Sequence, residues 1–196
     1  MLHHDQQLVQ IVDAAAADAA RRSGKWLHCR LGCTQCCIGI FSITQLDAER
    51  LRSGLIELEQ QNPTRAEAIR RRAADSMQRL KPNFPGDAAS GRLDESDPRH
   101  EDFANDEPCP VLDPETGACD LYAARPITCR VFGPPVRSAE GIGICELNFD
   151  GADESEVLAA ELDVSWSVLE DALNAGAELR SAHSGSTTVA WALAQP

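Results

Sequence analysis

The sequence predicts a mainly α fold with a small β-hairpin, its helices packed around an irregular cysteine-rich centre. Three observations lead there. Several stretches place apolar residues at i, i+3 and i+4, the spacing that puts them on one face of a helix. The segment Asp113-Pro-Glu-Thr-Gly117 joins two short apolar runs with the residues of a tight turn. Four of the eight cysteines, Cys29, Cys33, Cys36 and Cys37, fall within nine residues, while Cys109, Cys119, Cys129 and Cys145 stand apart. A chain of 196 residues is long enough to bury a core, and the expectation is one domain, 1–196. Within it, 26–150 form the cysteine-cluster core and 151–196 the C-terminal helices.

Taken in order, Leu8, Ile11, Val12, Ala15, Ala16 and Ala19 share a face, so a helix is expected from Asp5 to Arg22, capped by Asp5 and ended by Gly24. Ile38 to Ile43 reads as a strand or a packed loop behind the cysteines. Thr44-Gln-Leu-Asp47 resembles a capping box and opens a helix that Gly54 closes, with a further helical piece from Leu55 to Gln61. Thr64-Arg-Ala-Glu67 is a full capping box for a helix whose apolar face runs Ile69, Ala73, Met77, Leu80. Its arginines, Arg70, Arg71 and Arg72, read as a solvated face, with Glu67 and Asp75 as i, i+4 partners of Arg71 and Arg79.

Residues 82–108, rich in proline, glycine and acids, read as an irregular acidic connection, and His100 within it as a surface residue rather than a ligand. Val111-Leu112 and Ala118 to Tyr122 flank the turn at 113–117 as a small β-hairpin, which brings Cys109 and Cys119 near each other. Pro126 suits the start of a short helical turn carrying Cys129. Gly133, Gly141 and Gly143 let the chain fold back to present Cys145. Helices follow at Asp153–Leu162, Trp166–Arg180 and Thr187–Ala194, expected to pack over the first ones.

Charge narrows the function. The net charge is -13, and the acids concentrate after residue 84. Nucleic-acid binding requires clustered positive charge, so no nucleic-acid partner is expected. No stretch approaches the ~20 apolar residues of a membrane span, and the amino terminus lacks the pattern of a secretory signal. A cytoplasmic protein without a membrane partner is the expectation, and reduced thiols with it.

Reduced, clustered cysteines point to a metal ion or cluster. Cys33 and Cys36 make the C-x2-C knuckle of a zinc site, but the downstream cysteines have wide intervals. Cys29, Cys33 and Cys36 supply three close ligands and Cys109-Pro110 a distant fourth, a layout that suits an iron–sulfur cluster, with zinc as the alternative. Cys36 and Cys37 are adjacent, and adjacent side chains diverge, so either one of the two is a non-ligand or redox thiol, or the cysteines serve two sites or one polynuclear site. Arg125 and Arg130 flank Cys129 and are candidates to stand behind the thiolates, offsetting their negative charge and donating N–H to sulfur.

Cys29-x3-Cys33-x2-Cys36-Cys37, then Cys109-Pro-x-Leu, Cys119-x-Leu-Tyr122-x-x-Arg125-Pro126-x-x-Cys129-Arg130-x-Phe132 and Cys145, resembles the zinc- or iron-chelating cysteine-cluster family, the YkgJ-like or CxxCxxCC-type proteins of bacteria. The resemblance covers about 26–150. Its first pair departs from the family's frequent C-x2-C by one residue. What the resemblance implies is metal chelation by all eight cysteines. Flagellin lysine methylases look similar in their cluster, and the C-x3-C-x2-C spacing resembles that of radical S-adenosylmethionine enzymes, whose β/α barrel this chain does not predict. Two classes of function follow: a protein whose metal centre is structural, carries electrons or stores metal, and an enzyme whose cluster binds S-adenosylmethionine for transfer to a protein side chain. The fold class is therefore helices packed around an irregular cysteine-rich metal-binding centre.

Overall fold

A computed structural model describes residues 2–30, 32–138 and 141–194. Along the chain run α1 (Leu2–Ser23), α2 (Gln45–Gln61), α3 (Pro63–Leu80), β1 (Gly86–Asp87), β2 (Arg92–Leu93), α4 (Ile127–Val131), β3 (Val136–Ser138), β4 (Gly141–Gly143), α5 (Glu154–Ala159), α6 (Ser167–Ser181) and α7 (Val189–Ala194). Helix is the main element and, among the described residues, the strands pair as two antiparallel two-stranded sheets, the mainly α fold class that the sequence predicted. No helix among the described residues is long and apolar enough to cross a membrane. The chain divides into two compact units: residues up to Arg30 with Ile127–Leu173, and residues after Arg30 up to Pro126 with those from Asn174 onward. The second boundary falls inside α6.

In the first unit α1 packs against α4 and α5. Leu8, Val12 and Ala19 supply its fully buried stripe, at the spacing a helix face requires. The helix begins at Leu2, so Asp5 is not the cap expected of it. It lies in the first turn instead, where a carboxylate favours the positive end of the helix dipole. Gly24, at φ +51°, ends the helix as expected. A short 3-10 turn, Gly24–Trp26, then leads toward Cys29. It is anchored by the Trp26 indole, which donates to Glu156 at 2.9 Å, and by the Trp26 carbonyl, which accepts from the Phe149 amide at 3.1 Å. The Asp153 amide donates to the Glu156 carboxylate at 3.1 Å, half of a capping box that opens α5.

The second unit is built on α2, α3 and α7, which pack on one another. Leu51, Leu55, Ile69, Ala73, Val189 and Leu193 form the centre of its core, joined by Val111 and Leu121. Thr44 caps α2 by accepting from the Asp47 amide. Gly54 does not end that helix; α2 runs unbroken to Gln61. A Cβ at Gly54 would stand 2.4 Å from the Cβ of Ala124, so the glycine is there for a close approach, not a stop. The start of α3 also differs from expectation. Asn62 caps it by accepting from the Arg65 amide, with Pro63 in the first turn, two residues ahead of the Thr64 box.

The arginines of α3 do not form the within-helix pairs expected of them. Arg70 pairs with Glu59, Arg72 with Asp120 and Arg79 with Glu107, all on other segments. The acidic connection 82–108 is more ordered than its composition suggests. Asp87, Asp94 and Asp97 each accept from the amide two residues on, closing turns. Phe84 and Phe103 stand edge to face at 5.7 Å, and Phe84 lies 4.2 Å from Trp191, so a second apolar cluster ties the segment to α7.

Candidate metal centre

All eight cysteines are thiols, none in a disulfide. Five lie in the unit built on α2, α3 and α7, and the chain's hydrogen bonds show how four of them meet. Gln35–Cys37 forms a single 3-10 turn, closed by the Cys37 amide donating to Thr34 at 2.8 Å. The next residue, Ile38, forms an antiparallel bridge with Pro108, and the Cys109 amide donates to the Cys37 carbonyl at 2.8 Å. Ile38 to Ile43 is therefore the packed loop of the two expectations and not a strand: it touches neighbouring segments at its two ends, Ile43 bridging to Thr187.

The expected hairpin at 111–122 forms its turn but almost no ladder. The Glu115 amide donates to the Asp113 carboxylate at 2.9 Å and Gly117 takes φ +67°, while pairing is confined to the bridge Leu112–Cys119. This suffices to bring Cys109 and Cys119 within electrostatic reach of each other. Both pack, half-buried, against the helical core.

The four thiols are electrostatically coupled. The Cys37 thiol donates to the Cys36 sulfur and holds Cys36 as a thiolate well below its ordinary value, at about 6, with the Arg125 charge assisting. The same hydrogen bond, burial and the negative charge of Cys36, Cys109 and Cys119 push Cys37 upward. Burial pushes Cys109 up to about 12. Cys119 is also raised by burial, against the pull of Arg125. The sequence argument that adjacent side chains diverge thus fails here. Divergence applies to Cα–Cβ directions, and the hydrogen bond from Cys37 to Cys36 within the tight turn keeps the two sulfurs beside each other.

Arg125 is held where it serves these sulfurs. Its guanidinium lies 3.9 Å from the centre of the Tyr122 ring and donates to the Tyr122 carbonyl at 3.0 Å. The spacing Tyr-x-x-Arg-Pro is thereby explained: a 3-10 turn, Tyr122–Ala124, folds the ring under the guanidinium, and Pro126 locks the following backbone.

Cys29, Cys129 and Cys145 belong to the other unit. Asn148 organises that group. Its side-chain amide donates to the Cys29 sulfur at 3.6 Å and to the Gly133 carbonyl at 2.9 Å, its Oδ1 accepts from the His28 amide at 2.8 Å, and its own amide donates to the Cys145 carbonyl at 2.8 Å. Gly133, at φ +127°, leaves room for the sulfur, since a Cβ there would stand 2.9 Å from it. Cys129 lies in α4, beside Arg130, whose buried guanidinium binds both carboxylate oxygens of Asp13 at 2.8 and 2.9 Å. Asn148 was not legible in the sequence, because a single asparagine after a cysteine has no motif.

No group of three or more His, Cys, Asp or Glu side chains among the described residues stands as a ready-made ligand set. In donor chemistry the residues nonetheless fit a thiophilic metal: four coupled thiols in one unit, one of them ionised near neutrality, with a guanidinium beside them. Among comparisons with known proteins, neither the curated proteins nor the solved structures returned a match. A family model does match, over residues 28–138: CxxCxxCC, described as a zinc- or iron-chelating domain. The span takes in both the 29–37 cluster and the Tyr122–Arg130 segment, while Cys145 lies beyond it. With more than half of its length matched, the chain belongs to the CxxCxxCC family of zinc- or iron-chelating domains.

Proposed function

We propose that the protein holds an iron–sulfur cluster, with the thiolates of Cys36, Cys37, Cys109 and Cys119 as ligands. The observation that carries this is the hydrogen bond that the Cys37 thiol donates to the Cys36 sulfur, together with the electrostatic influence of Cys109 and Cys119 on the pair. Two adjacent sulfurs facing one way are poorly used by one tetrahedral ion, whereas a cluster presents a separate iron to each thiolate. Cys33 lies in the same loop and is available to the same group. In the other unit Cys29, Cys129 and Cys145 are thiols apart from these four, and Asn148 donates an N–H to the Cys29 sulfur, a bond of the kind that tunes metal thiolates. Arg125 offsets the negative charge of the thiolates. Bound there, a cluster supplies one-electron chemistry or a structural cross-link. Eight reduced thiols suit a reducing compartment, the cytoplasm in our reading.

The test is metal and sulfide analysis with a visible spectrum of protein purified without air. Iron and acid-labile sulfide with broad absorption that dithionite bleaches support the cluster. Stoichiometric zinc without iron or sulfide overturns it in favour of a zinc centre.

A further inference from the structure

We infer that Arg72 of α3 is a positioning residue for the metal centre, acting as a clamp that sets the spacing of Cys109 and Cys119. The inference rests on the metal-binding reading above. One guanidinium makes two bonds: Nε donates to the Pro110 carbonyl at 2.8 Å and Nη2 to the Asp120 carboxylate at 2.8 Å. Pro110 directly follows Cys109, and Asp120 directly follows Cys119. The Asp120 side chain is 1% exposed and is bound by Arg65 as well as by Arg72. Arg65 also reaches Asp113 at 3.2 Å, at the start of the turn that joins the two cysteine segments.

The clamp is needed because the ladder between these segments is a single bridge, Leu112–Cys119. A pairing so short fixes register weakly. A planar guanidinium with fixed donor directions supplies the missing constraint by tying both segments to a rigid helix. Arginine is suited to this and lysine is not, since one point charge cannot hold a carbonyl and a carboxylate at set angles. Arg70, two residues earlier, forms an exposed pair with Glu59 on α2 and touches neither cysteine segment in the same way. It is therefore the internal control.

The experiment uses Co2+ alone as the probe on anaerobically reduced, metal-free full chain, reading the thiolate-to-metal absorption band and the affinity in competition with a chromophoric chelator. Arg72→Met is expected to weaken Co2+ about 10–100-fold, the usual cost of losing a residue that orients ligands, and to reduce the thiolate band. Arg72→Lys should recover little and Arg70→Met should match the parent. Asp120→Asn, which keeps the size of the side chain and weakens the ion pair, should fall between, and it stands in for Arg72→Met if that variant does not fold. Metal-free melting temperature is the readout for a merely structural role. Affinity and band unchanged in Arg72→Met or Asp120→Asn overturn the clamp, as does a loss matched by Arg70→Met. A parent protein that shows no Co2+–thiolate band removes the metal reading itself, a distinct outcome.

Discussion

The two groups of cysteines in this molecule are held by different means. Cys36, Cys37, Cys109 and Cys119 act on one another, sulfur to sulfur, and an arginine moderates them. Cys29 and Cys145 are instead connected through a neutral side chain, Asn148, which bonds one by its amide group and the other through the backbone. Thiols that lower or raise one another's proton affinity are already poised to share a positive charge. Thiols organised by an amide are held by its geometry. The matched family span takes in every cysteine but Cys145 without distinction, whereas the physical surroundings divide them.

The sharpest way to break this division is serine replacement. Cys36→Ser, Cys37→Ser, Cys109→Ser and Cys119→Ser should each abolish metal binding, while Cys29→Ser and Cys145→Ser should leave most of it, as measured by metal content after anaerobic reconstitution. Equal loss in both sets would show that all eight thiols serve one centre. Unequal behaviour of Cys36→Ser and Cys37→Ser would restore the view that neighbouring sulfurs diverge.

Removal of the metal is next in size. Cys109 and Cys119 pack against the core of α2, α3 and α7, so binding there is coupled to the stability of that core. A ligand present at several hundred times its dissociation constant adds about 3–4 kcal/mol, which for a chain of this length corresponds to roughly 5–15 °C in melting temperature. Hydrogen exchange should quicken between Cys109 and Leu121 on stripping, and α1 should change little. Exchange that quickens as much in α1 would make the two regions one cooperative unit.

What the sequence disclosed follows the same line. Helices with strong periodicity were legible: Leu8, Val12 and Ala19 are buried as their spacing required. The turn at 113–117 and the role of Thr44 were legible too, because each depends on residues adjacent in sequence. Gly54 misled, since a glycine that ends a helix and one that admits Ala124 look alike until the distant neighbour is known. Arg72 was hidden for the same reason: its partners lie 38 and 48 residues away. The cysteines announced the chemistry, and the flanking of Cys129 singled out Arg125, but its seat on the Tyr122 ring appears only in the structure. The division of the cysteines into five in one unit and three in the other could not be read, because it depends on which segments pack together.

Two glycines probe the two groups separately. Gly54→Ala forces a methyl group to 2.4 Å from Ala124, at the foot of the turn that carries Arg125. Gly133→Ala puts one 2.9 Å from the Cys29 sulfur, at a φ of +127° that side chains rarely adopt. Each should cost about 1–3 kcal/mol of stability in denaturant titration. Only Gly54→Ala should also weaken metal, by displacing the guanidinium. Weakened metal in Gly133→Ala at equal stability would tie Cys29 to the centre.

The smallest effect is on proton affinity. In metal-free protein Cys36 should be alkylated by iodoacetamide with a midpoint near pH 6, whereas Cys109, pushed up to about 12, should stay protonated and slow across the neutral range. The sign follows from the cause. The hydrogen bond from Cys37 favours the charged form of Cys36, so the folded chain holds its thiolate above the midpoint and loses it as pH falls through about 6. Metal affinity should fall over the same range, because protons then compete for the sulfur. Cys37→Ala should raise the Cys36 midpoint more than Arg125→Met does, since the hydrogen bond is the larger cause and the guanidinium the lesser. The opposite order would mean that the charge of Arg125, not the neighbouring thiol, activates the site, and the contrast between sulfurs that act on one another and sulfurs positioned by a neutral group would lose its basis.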